Sequence, residues 1–360
     1  MLLAIWFAGN YLPLWKSDLW QSGAHWYDHL LRWDSEWYTG IVEHGYHYDG
    51  DPNELQPVVF YPLYPLLSRA VAWITGIGSP LALLIVANVS AVLAMLLLCK
   101  LARRSFGDDV AVLSVALLSF YPGSLFLSAG YTEPLALLLI LSCFAFLNDR
   151  RYLFASVTAG LALVTRSVGI ALMPALLWEL WFKFRTDRGR LLLYAIACMA
   201  IASAGLAIYM VYLGVAFGHP LAFADAQAAF HGETSLGGRL VAALTLQPFL
   251  HLRFDDLSPA GLDQWFFILL LVLTLAASRR LPGAQVLFGL GALLVPYLTL
   301  SGGPAGFTSM TRFGVLAFPA FIMLANVCRS LPWLGLAVIG LFAAMLGLHS
   351  ALFAQWYWVG

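Results

Sequence analysis

The sequence predicts an all-α polytopic membrane protein with a single domain, residues 1–360, and three observations support that prediction. Of the 360 residues, 61% are apolar and 11% are charged, and the mean hydropathy is +0.81. A soluble domain carries about 25% charged residues. Apolar segments near the roughly 20 residues that cross a bilayer recur along the chain. Basic residues cluster between alternate segments, as they do in the cytoplasmic loops of membrane proteins.

Eleven apolar segments are candidates for transmembrane helices. They are 1–15, 79–103, 109–128, 132–147, 152–166, 168–184, 191–217, 264–278, 283–300, 312–328 and 333–355. Segments 132–147 and 152–166 are short, which is typical of broken or tilted helices that line a cavity. Segment 1–15 lacks a basic start and a small-residue cleavage site, so we expect a first span there rather than a cleaved signal peptide.

The positions of lysine and arginine predict the orientation of these segments. If the spans alternate, one side receives the basic residues of 100–104, 150–151, 183–190, 279–280 and 329. Because cytoplasmic loops carry the excess of basic residues, this side is predicted to be cytoplasmic. The opposite, outer side then receives two long loops, 16–78 and 218–262.

Composition and motifs exclude several classes of function. The formal net charge is zero, so the chain as a whole does not attract nucleic acid. The four cysteines lie far apart in apolar segments, and we expect them to be core residues rather than zinc or redox groups. The chain lacks the glycine-rich motifs G-x-x-x-x-G-K-[ST] and G-x-G-x-x-G, so a nucleotide site is not recognisable.

The first outer loop begins with an aromatic periodic segment. Trp26, Leu30, Trp33, Trp37 and Ile41 recur at intervals of three or four residues, which is the period of an amphipathic helix. Tryptophan prefers the headgroup layer of a membrane. The pattern therefore predicts an interfacial helix over 26–41 that lies along the outer membrane surface.

Asp34 is the carboxylate of this segment that differs from an ordinary surface charge. It lies between two tryptophans, where a carboxylate costs free energy unless it faces water or a partner. Either it reaches into solvent as an interfacial charge, or it is a base that faces an aqueous cavity. Arg32 and Glu36 are four residues apart and are expected to form a surface ion pair, although Glu36 is also a candidate for substrate binding.

Two further motifs of the loop have competing interpretations. Residues 49–51, D-G-D, resemble a metal-binding carboxylate pair, but Asp and Gly are also typical of turns. His44 and His47 match no strong metal pattern, so no metal or other cofactor is indicated, although a divalent cation is compatible with the chemistry. Tyr61 and Tyr64 belong to a proline-rich aromatic turn that forms either a wall of a binding site or a simple re-entry into the membrane.

Three charged residues fall at the predicted outer ends of spans. Glu133, Arg166 and Arg312 lie in or beside apolar segments, where ionisable groups are expensive and usually face a cavity or a partner. Each arginine either reaches toward the outer headgroups or presents its planar guanidinium to phosphate oxygens. An Arg166–Glu133 ion pair is a structural alternative. A phosphate held by arginine inside a membrane suggests a lipid phosphate.

Several of these motifs, in this order, resemble a known family. They are residues 32–35 (R-W-D-S), 45–46 (G-Y), 60–65 (F-Y-P-L-Y-P), 120–124 (F-Y-P-G-S), 131–133 (Y-T-E), 165–169 (T-R-S-V-G), 311–313 (T-R-F) and 318–319 (F-P). Together they resemble the PIG-V-type mannosyltransferases, which are similar to glycosylphosphatidylinositol mannosyltransferase 2 and belong to the GT-C class of membrane glycosyltransferases.

The resemblance implies an inverting transfer of a sugar, commonly mannose, from a polyprenyl- or dolichyl-phosphate donor. It implies a glycolipid or other acceptor, a site on the non-cytoplasmic face of a cell, inner or endoplasmic reticulum membrane, and membrane lipids as surroundings. Asp34 matches the acidic base of the first outer loop, and Arg166 or Arg312 is then expected to hold the donor phosphate, with Glu133 as a further substrate contact. The competing class is a multi-span transporter or lipid flippase, which would have a cavity open to both sides.

Overall fold

The computed structural model describes residues 1–15, 25–51, 53–231, 236–250, 252, 256, 258–300 and 307–360. Parts of both predicted outer loops, including 16–24, therefore lie outside the described residues. Within the described part the chain is almost entirely helical. The α-helices, numbered in chain order, are α1 Leu2–Tyr11, α2 Asp34–His44, α3 Leu63–Thr75, α4 Ser79–Phe106, α5 Asp108–Phe120, α6 Glu133–Asn148, α7 Tyr152–Leu163, α8 Leu172–Phe184, α9 Arg188–Phe217, α10 Ala222–Asp225, α11 Gln227–His231, α12 Leu236–Leu244, α13 Gln247–Leu250, α14 Pro259–Ala277, α15 Gly283–Leu300, α16 Met310–Gly314, α17 Phe318–Ser330 and α18 Pro332–Ala354.

The apolar helices correspond to the predicted spans. Four helical stretches in the described residues are long and apolar enough to cross a membrane, namely Ser79–Phe106, Ser167–Phe184, Arg188–Phe217 and Pro332–Ala354. Six shorter apolar helices, of 10–17 residues, occupy most of the other predicted segments. The prediction of an all-α polytopic membrane protein is confirmed, whereas the number of eleven crossings stays a prediction.

The helices pack in neighbouring pairs that follow the chain. α4 packs against α5 and α6, α6 against α7, and α7 against α9, while α17 fills the space between α5 and α14. α1 packs against α18, so the two ends of the described chain meet on one side of the bundle. Prolines at the first turn start many of these helices, because a missing N–H costs nothing at that position.

The first outer loop differs from its prediction. A continuous helix over 26–41 is wrong, because the structure has a short 3₁₀ helix, Trp26–Leu30, then a break, and only then α2. At the break Trp33 has a φ of 57°, a left-handed value that ends any helical path. Its ring packs edge-on against Trp356 and Trp358, and the buried Arg32 donates a hydrogen bond to the carbonyl oxygen of Ala354. These tertiary contacts override the amphipathic period.

A second amphipathic helix, α3, follows the aromatic turn and was not predicted. Its start is tied to the bundle because the N–H of Leu63 donates to the carbonyl oxygen of Val164, 3.1 Å away. Arg69 reaches back and donates to the carbonyl oxygens of Ile41 and Val42, which satisfies the last turn of α2. The loop is therefore tied to the bundle at the start of α3, and α3 is tied to the end of α2.

α7 and α9 approach each other closely because a glycine lies at their contact. A Cβ on Gly160 would lie 3.0 Å from the carbonyl oxygens of Ile201 and Ala202 on α9. Small residues at such a contact let helix backbones approach, which is the usual basis of helix association in a membrane. A Cβ on Gly340, in the interior of α18, would meet nothing within 4 Å.

We expect Gly160→Ala to destabilise the protein and Gly340→Ala to leave it unchanged or more stable. The first substitution forces two helices apart at a cost of about 1–3 kcal/mol, whereas the second only removes the conformational freedom of a helical glycine. Thermal unfolding of the two variants in the same detergent checks this. A midpoint for Gly160→Ala at or above that of Gly340→Ala would contradict the close helix contact.

Candidate active site

A buried carboxylate lies at the centre of the charged residues. Glu133, the first residue of α6, is 0% exposed and contacts both arginines that the sequence singled out. Nη1 of Arg166 lies 2.9 Å from Oε1 of Glu133 and also donates to the hydroxyl of Thr132, 2.9 Å away. Nε of Arg312 donates to the same Oε1. The two arginines are thus held side by side and do not reach out to the headgroups.

Asp34, on α2, is the fourth charged residue of this cluster. Oδ2 of Asp34 lies 2.8 Å from Nη1 of Arg312, and its side chain is partly exposed. Asp34 is the first residue of α2, where a carboxylate is favoured by the helix dipole. Two carboxylates and two guanidinium groups are therefore joined in one network, Asp34–Arg312–Glu133–Arg166.

The turn before α6 connects the segment before Asp34 with Arg312. The N–H of Gly130 donates to the carbonyl oxygen of Leu30, and the hydroxyl of Tyr131 donates to the carbonyl oxygen of Arg32. The Tyr131 ring also lies 4.5 Å below the guanidinium carbon of Arg312, a cation–π contact. The turn thus fixes the segment before Asp34 on one side and Arg312 on the other.

Uncommon backbone conformations precede both partners of the Asp34–Arg312 pair. Trp33 has a φ of 57° immediately before Asp34, and Ser309 has a φ of 56° three residues before Arg312. Such conformations cost of order 1–3 kcal/mol for a residue other than glycine, and they cluster at functional sites. Here each of these residues directs the start of the helix that follows it toward the charged network. That helix is α2 after Trp33 and α16 after Ser309.

Sequence reasoning missed Asp263, which positions Arg312. Asp263 on α14 is buried, and it accepts a hydrogen bond of 2.6 Å from the N–H of Thr311 in the first turn of α16. A Cβ on Gly123 would overlap the carbonyl oxygen of the same Thr311. The backbone beside Arg312 is thus held from two directions. An acidic residue immediately before the predicted span 264–278 was the available signal.

An open cleft of 330 Å³ lies against the network. It is called here the donor cleft, after the donor phosphate that Arg166 or Arg312 is expected to hold. Its walls include Asp34, Arg166 and Arg312, together with Tyr61 and Thr165. In the described part of the chain, Nε of the buried Arg166 has no hydrogen-bond partner. The cleft therefore offers two guanidinium groups to an anion, with a carboxylate beside them.

Two predicted substrate contacts lie elsewhere. Tyr64 is 0% exposed and donates its hydroxyl to the carbonyl oxygen of Leu83, so it joins α3 to α4 and has no surface for a substrate. Glu133 lies behind the arginines, where it is fully paired with them. Tyr61 lines the donor cleft, and its contact with a substrate stays a prediction.

Glu36 faces a second and larger cleft of 780 Å³ on the other side of Asp34. Partial burial raises its pKa, and the nearby charge of Arg32 opposes that shift only in part. The predicted Arg32–Glu36 surface ion pair is not formed. Arg32 is buried, and its Nη2 lies 3.2 Å from Nδ1 of His29.

The D-G-D segment is a turn in the structure. Oδ1 of Asp49 accepts a hydrogen bond from the N–H of Asp51, 3.0 Å away, which lowers the pKa of Asp49. Gln56 closes the turn by donating to Asp49 as well. Among the residues that the structure describes, no three His, Cys, Asp or Glu side chains are grouped to hold a metal ion.

Part of the sequence matches a known protein family. Residues 56–214 match the family described as dolichyl-phosphate-mannose-protein mannosyltransferase. This segment runs from the aromatic turn through α9 and includes Glu133 and Arg166. No curated protein sequence matches the chain significantly.

Solved structures with a similar fold cover the whole chain. ArnT from Cupriavidus metallidurans, in a structure bound to undecaprenyl phosphate, is 15% identical with a TM-score of 0.53, over 98% of this chain and 75% of that one. The chain has a GT-C-like fold. The oligosaccharyltransferase of Archaeoglobus fulgidus, in a complex with zinc and sulfate, is 16% identical with a TM-score of 0.50, over 100% of this chain. The chain spans about half the length of that protein, 53%. These findings support the prediction of a glycosyltransferase, while the PIG-V type stays a resemblance.

We expect Glu133→Gln to destabilise the protein strongly. Among the residues that the structure describes, the change leaves Asp34 as the only carboxylate paired with the two buried guanidinium groups. Breaking a buried pair costs about 3–5 kcal/mol. Thermal unfolding measures the loss, and Asp109→Asn, exposed at the start of α5, is the control. If the two variants unfold at the same temperature, Glu133 does not hold the arginines as described.

Proposed function

We propose that the protein is a membrane glycosyltransferase that moves a sugar, mannose by the resemblance and the family match, from a polyprenyl-phosphate donor to an acceptor hydroxyl. The observation that carries the proposal is the donor cleft, in which a partly exposed carboxylate, Asp34, lies beside Arg166 and Arg312. An anion-binding pair next to a proton acceptor is what this reaction requires.

In the proposed step the acceptor oxygen attacks the anomeric carbon of the sugar as its proton passes to Asp34. The bond between that carbon and the phosphate oxygen breaks, and its electron pair leaves with the lipid phosphate. The leaving group gains negative charge, which the guanidinium groups of Arg166 and Arg312 stabilise. Attack from the side opposite the phosphate inverts the configuration, so the base and the arginines belong on different sides of the sugar.

The ion pair between Asp34 and Arg312 has a consequence for this step. While it is intact, Asp34 is engaged by a cation and is a weaker base. A donor phosphate that binds Arg312 competes with Asp34 for the guanidinium. We infer that donor binding releases Asp34 to face the acceptor, while Glu133 keeps both arginines in place.

Three observations support a lipid phosphate as the donor. The cleft lies among apolar helices, the matched family is described by a dolichyl-phosphate-mannose donor, and the ArnT structure of similar fold was solved with undecaprenyl phosphate. The predicted topology puts the cleft on the non-cytoplasmic face, because Asp34 belongs to loop 16–78 and the basic loops lie on the other side.

The transporter alternative is less well supported. The charged residues of the donor cleft are Asp34 at the first residue of α2, Arg166 at the break after α7 and Arg312 in α16, and they meet at one end of the bundle. Beyond Glu133, α6 continues as an apolar helix with most of its side chains buried. A charged cleft at one end of the bundle, above a packed apolar core, fits a transferase better than a transporter, which needs a path to both sides.

We expect Asp34→Asn to lower sugar transfer by about 10²–10⁴-fold, which is the usual contribution of a general base. Binding of undecaprenyl phosphate should be retained, because the substitution removes a competitor for Arg312. Asp28→Asn, six residues earlier and outside the cleft, is the matched control. Normal transfer by purified Asp34→Asn would exclude the base role.

We expect Arg312→Lys to weaken binding of undecaprenyl phosphate by about tenfold. Lysine keeps the positive charge toward Glu133 but loses the planar fork that binds phosphate oxygens in a bidentate manner. Arg329→Lys, exposed at the end of α17, serves as the control. Unchanged affinity in Arg312→Lys, and likewise in Arg166→Lys, would mean that the phosphate binds elsewhere.

A further inference from the structure

The 780 Å³ cleft that contains Glu36, called here the aromatic cleft, meets the donor cleft at the proposed base. Asp34, Phe230 and Trp358 line both clefts. The arginines line only the donor cleft, so a molecule in the aromatic cleft can reach Asp34 without passing them. An acceptor in an inverting transfer likewise approaches the sugar away from the leaving phosphate.

One face of α2 forms the floor of this cleft. Glu36, Trp37, Gly40, Ile41 and His44 recur at helical spacing along it. Gly40 lies in the middle of this face, and a Cβ there would meet nothing within 4 Å. The glycine leaves open space at the centre of the floor.

Tryptophan rings form much of the remaining wall. Trp33 packs edge-on against Trp356 and Trp358, with ring centroids 5.9 Å and 5.4 Å apart. Trp37 stacks on Phe60 at 5.8 Å, so its ring is held by a neighbour. Trp358 is 41% exposed although it is a large apolar side chain. Trp33, Trp37 and Trp358 are thus held by neighbouring rings and remain partly exposed, so they offer apolar surface to the cleft, while Trp356 is buried behind them.

The charges of the two clefts are opposite in kind. Among the described residues, the aromatic cleft is lined by the carboxylates of Asp34 and Glu36 and by the imidazoles of His44 and His47, with no arginine or lysine. The donor cleft, by contrast, contains Arg166 and Arg312. An anionic group in the aromatic cleft would be opposed by Glu36 without a cation to compensate.

We propose that the aromatic cleft binds the acceptor and that the acceptor is an uncharged glycan. The proposal rests on the proposed function and names its acceptor class. The apolar C–H face of a hexose packs on a tryptophan ring, whose large rigid surface is a common anchor in binding sites. The hexose hydroxyls donate to Glu36, and one hydroxyl reaches Asp34. A phosphorylated or otherwise acidic acceptor is disfavoured by the carboxylates.

Two substitutions test this with little effect on folding. Gly40→Leu fills the open space on the floor of the aromatic cleft, and Glu36→Gln removes the charged hydrogen-bond acceptor while it keeps the shape. Neither residue lines the donor cleft. Glu43→Gln, also exposed on α2 but outside both clefts, is the matched control.

The full-length protein in lipid nanodiscs is titrated with octyl α-mannoside, with its 6-phosphate and with an octyl-capped serine peptide. Nanodiscs are used because alkyl glycoside detergents would compete. Tryptophan fluorescence reports binding, and undecaprenyl phosphate binding is measured in parallel. We expect the neutral glycoside to bind at least about tenfold more tightly than the phosphate, since an unpaired charge is costly there. Gly40→Leu should weaken the neutral glycoside by at least about tenfold, and Glu36→Gln by about fivefold, as expected for a lost charged hydrogen bond.

The outcomes separate the two proposals. Equal or tighter binding of the 6-phosphate or the peptide, or unchanged glycoside binding in Gly40→Leu, overturns the acceptor assignment. Undecaprenyl phosphate affinity should stay within about twofold in both variants, because Arg166 and Arg312 are untouched. Failure of the unmodified protein to bind undecaprenyl phosphate would instead contradict the proposed donor, whatever the glycoside does.

Discussion

A single buried carboxylate determines the arrangement of the site. Glu133 is completely buried and shared by Arg166 and Arg312, which come from segments far apart in the sequence. Two like charges would repel each other in an apolar bundle, and each alone would be costly to bury. The carboxylate between them compensates both. It also keeps them oriented, so that a phosphate entering the cleft meets a preformed pair of guanidinium groups instead of flexible side chains.

Asp34 connects the two arginines with the aromatic cleft. In the structure it binds Arg312, and it is also one of three residues that line both clefts. In the proposed mechanism, donor and acceptor meet at this carboxylate. The donor phosphate binds Arg312 in place of Asp34, and Asp34 is then free to accept the proton of the acceptor hydroxyl.

Much of the fold followed from hydropathy, because apolar length is what a bilayer selects. The charges inside apolar segments also led to Glu133, Arg166 and Arg312, since buried charge is expensive unless it is used. Sequence periodicity could not predict the break at Trp33. There, contacts with rings distant in the sequence override the helical pattern between 26 and 41. Nor could it show that Tyr64 is a packing residue, or that Asp263 holds the backbone beside Arg312, because both depend on contacts between distant helices.

In the proposed mechanism the donor phosphate displaces Asp34 from Arg312 while Glu133 continues to hold both arginines. The most direct test is an experimental structure with a polyprenyl-phosphate sugar, or an uncleavable analogue, bound in a lipid environment. We expect phosphate oxygens within hydrogen-bond distance of Arg312 and Arg166, and the Asp34 carboxylate turned toward the acceptor hydroxyl in the aromatic cleft. A phosphate bound outside the donor cleft, with the Asp34–Arg312 pair still intact, would contradict this mechanism.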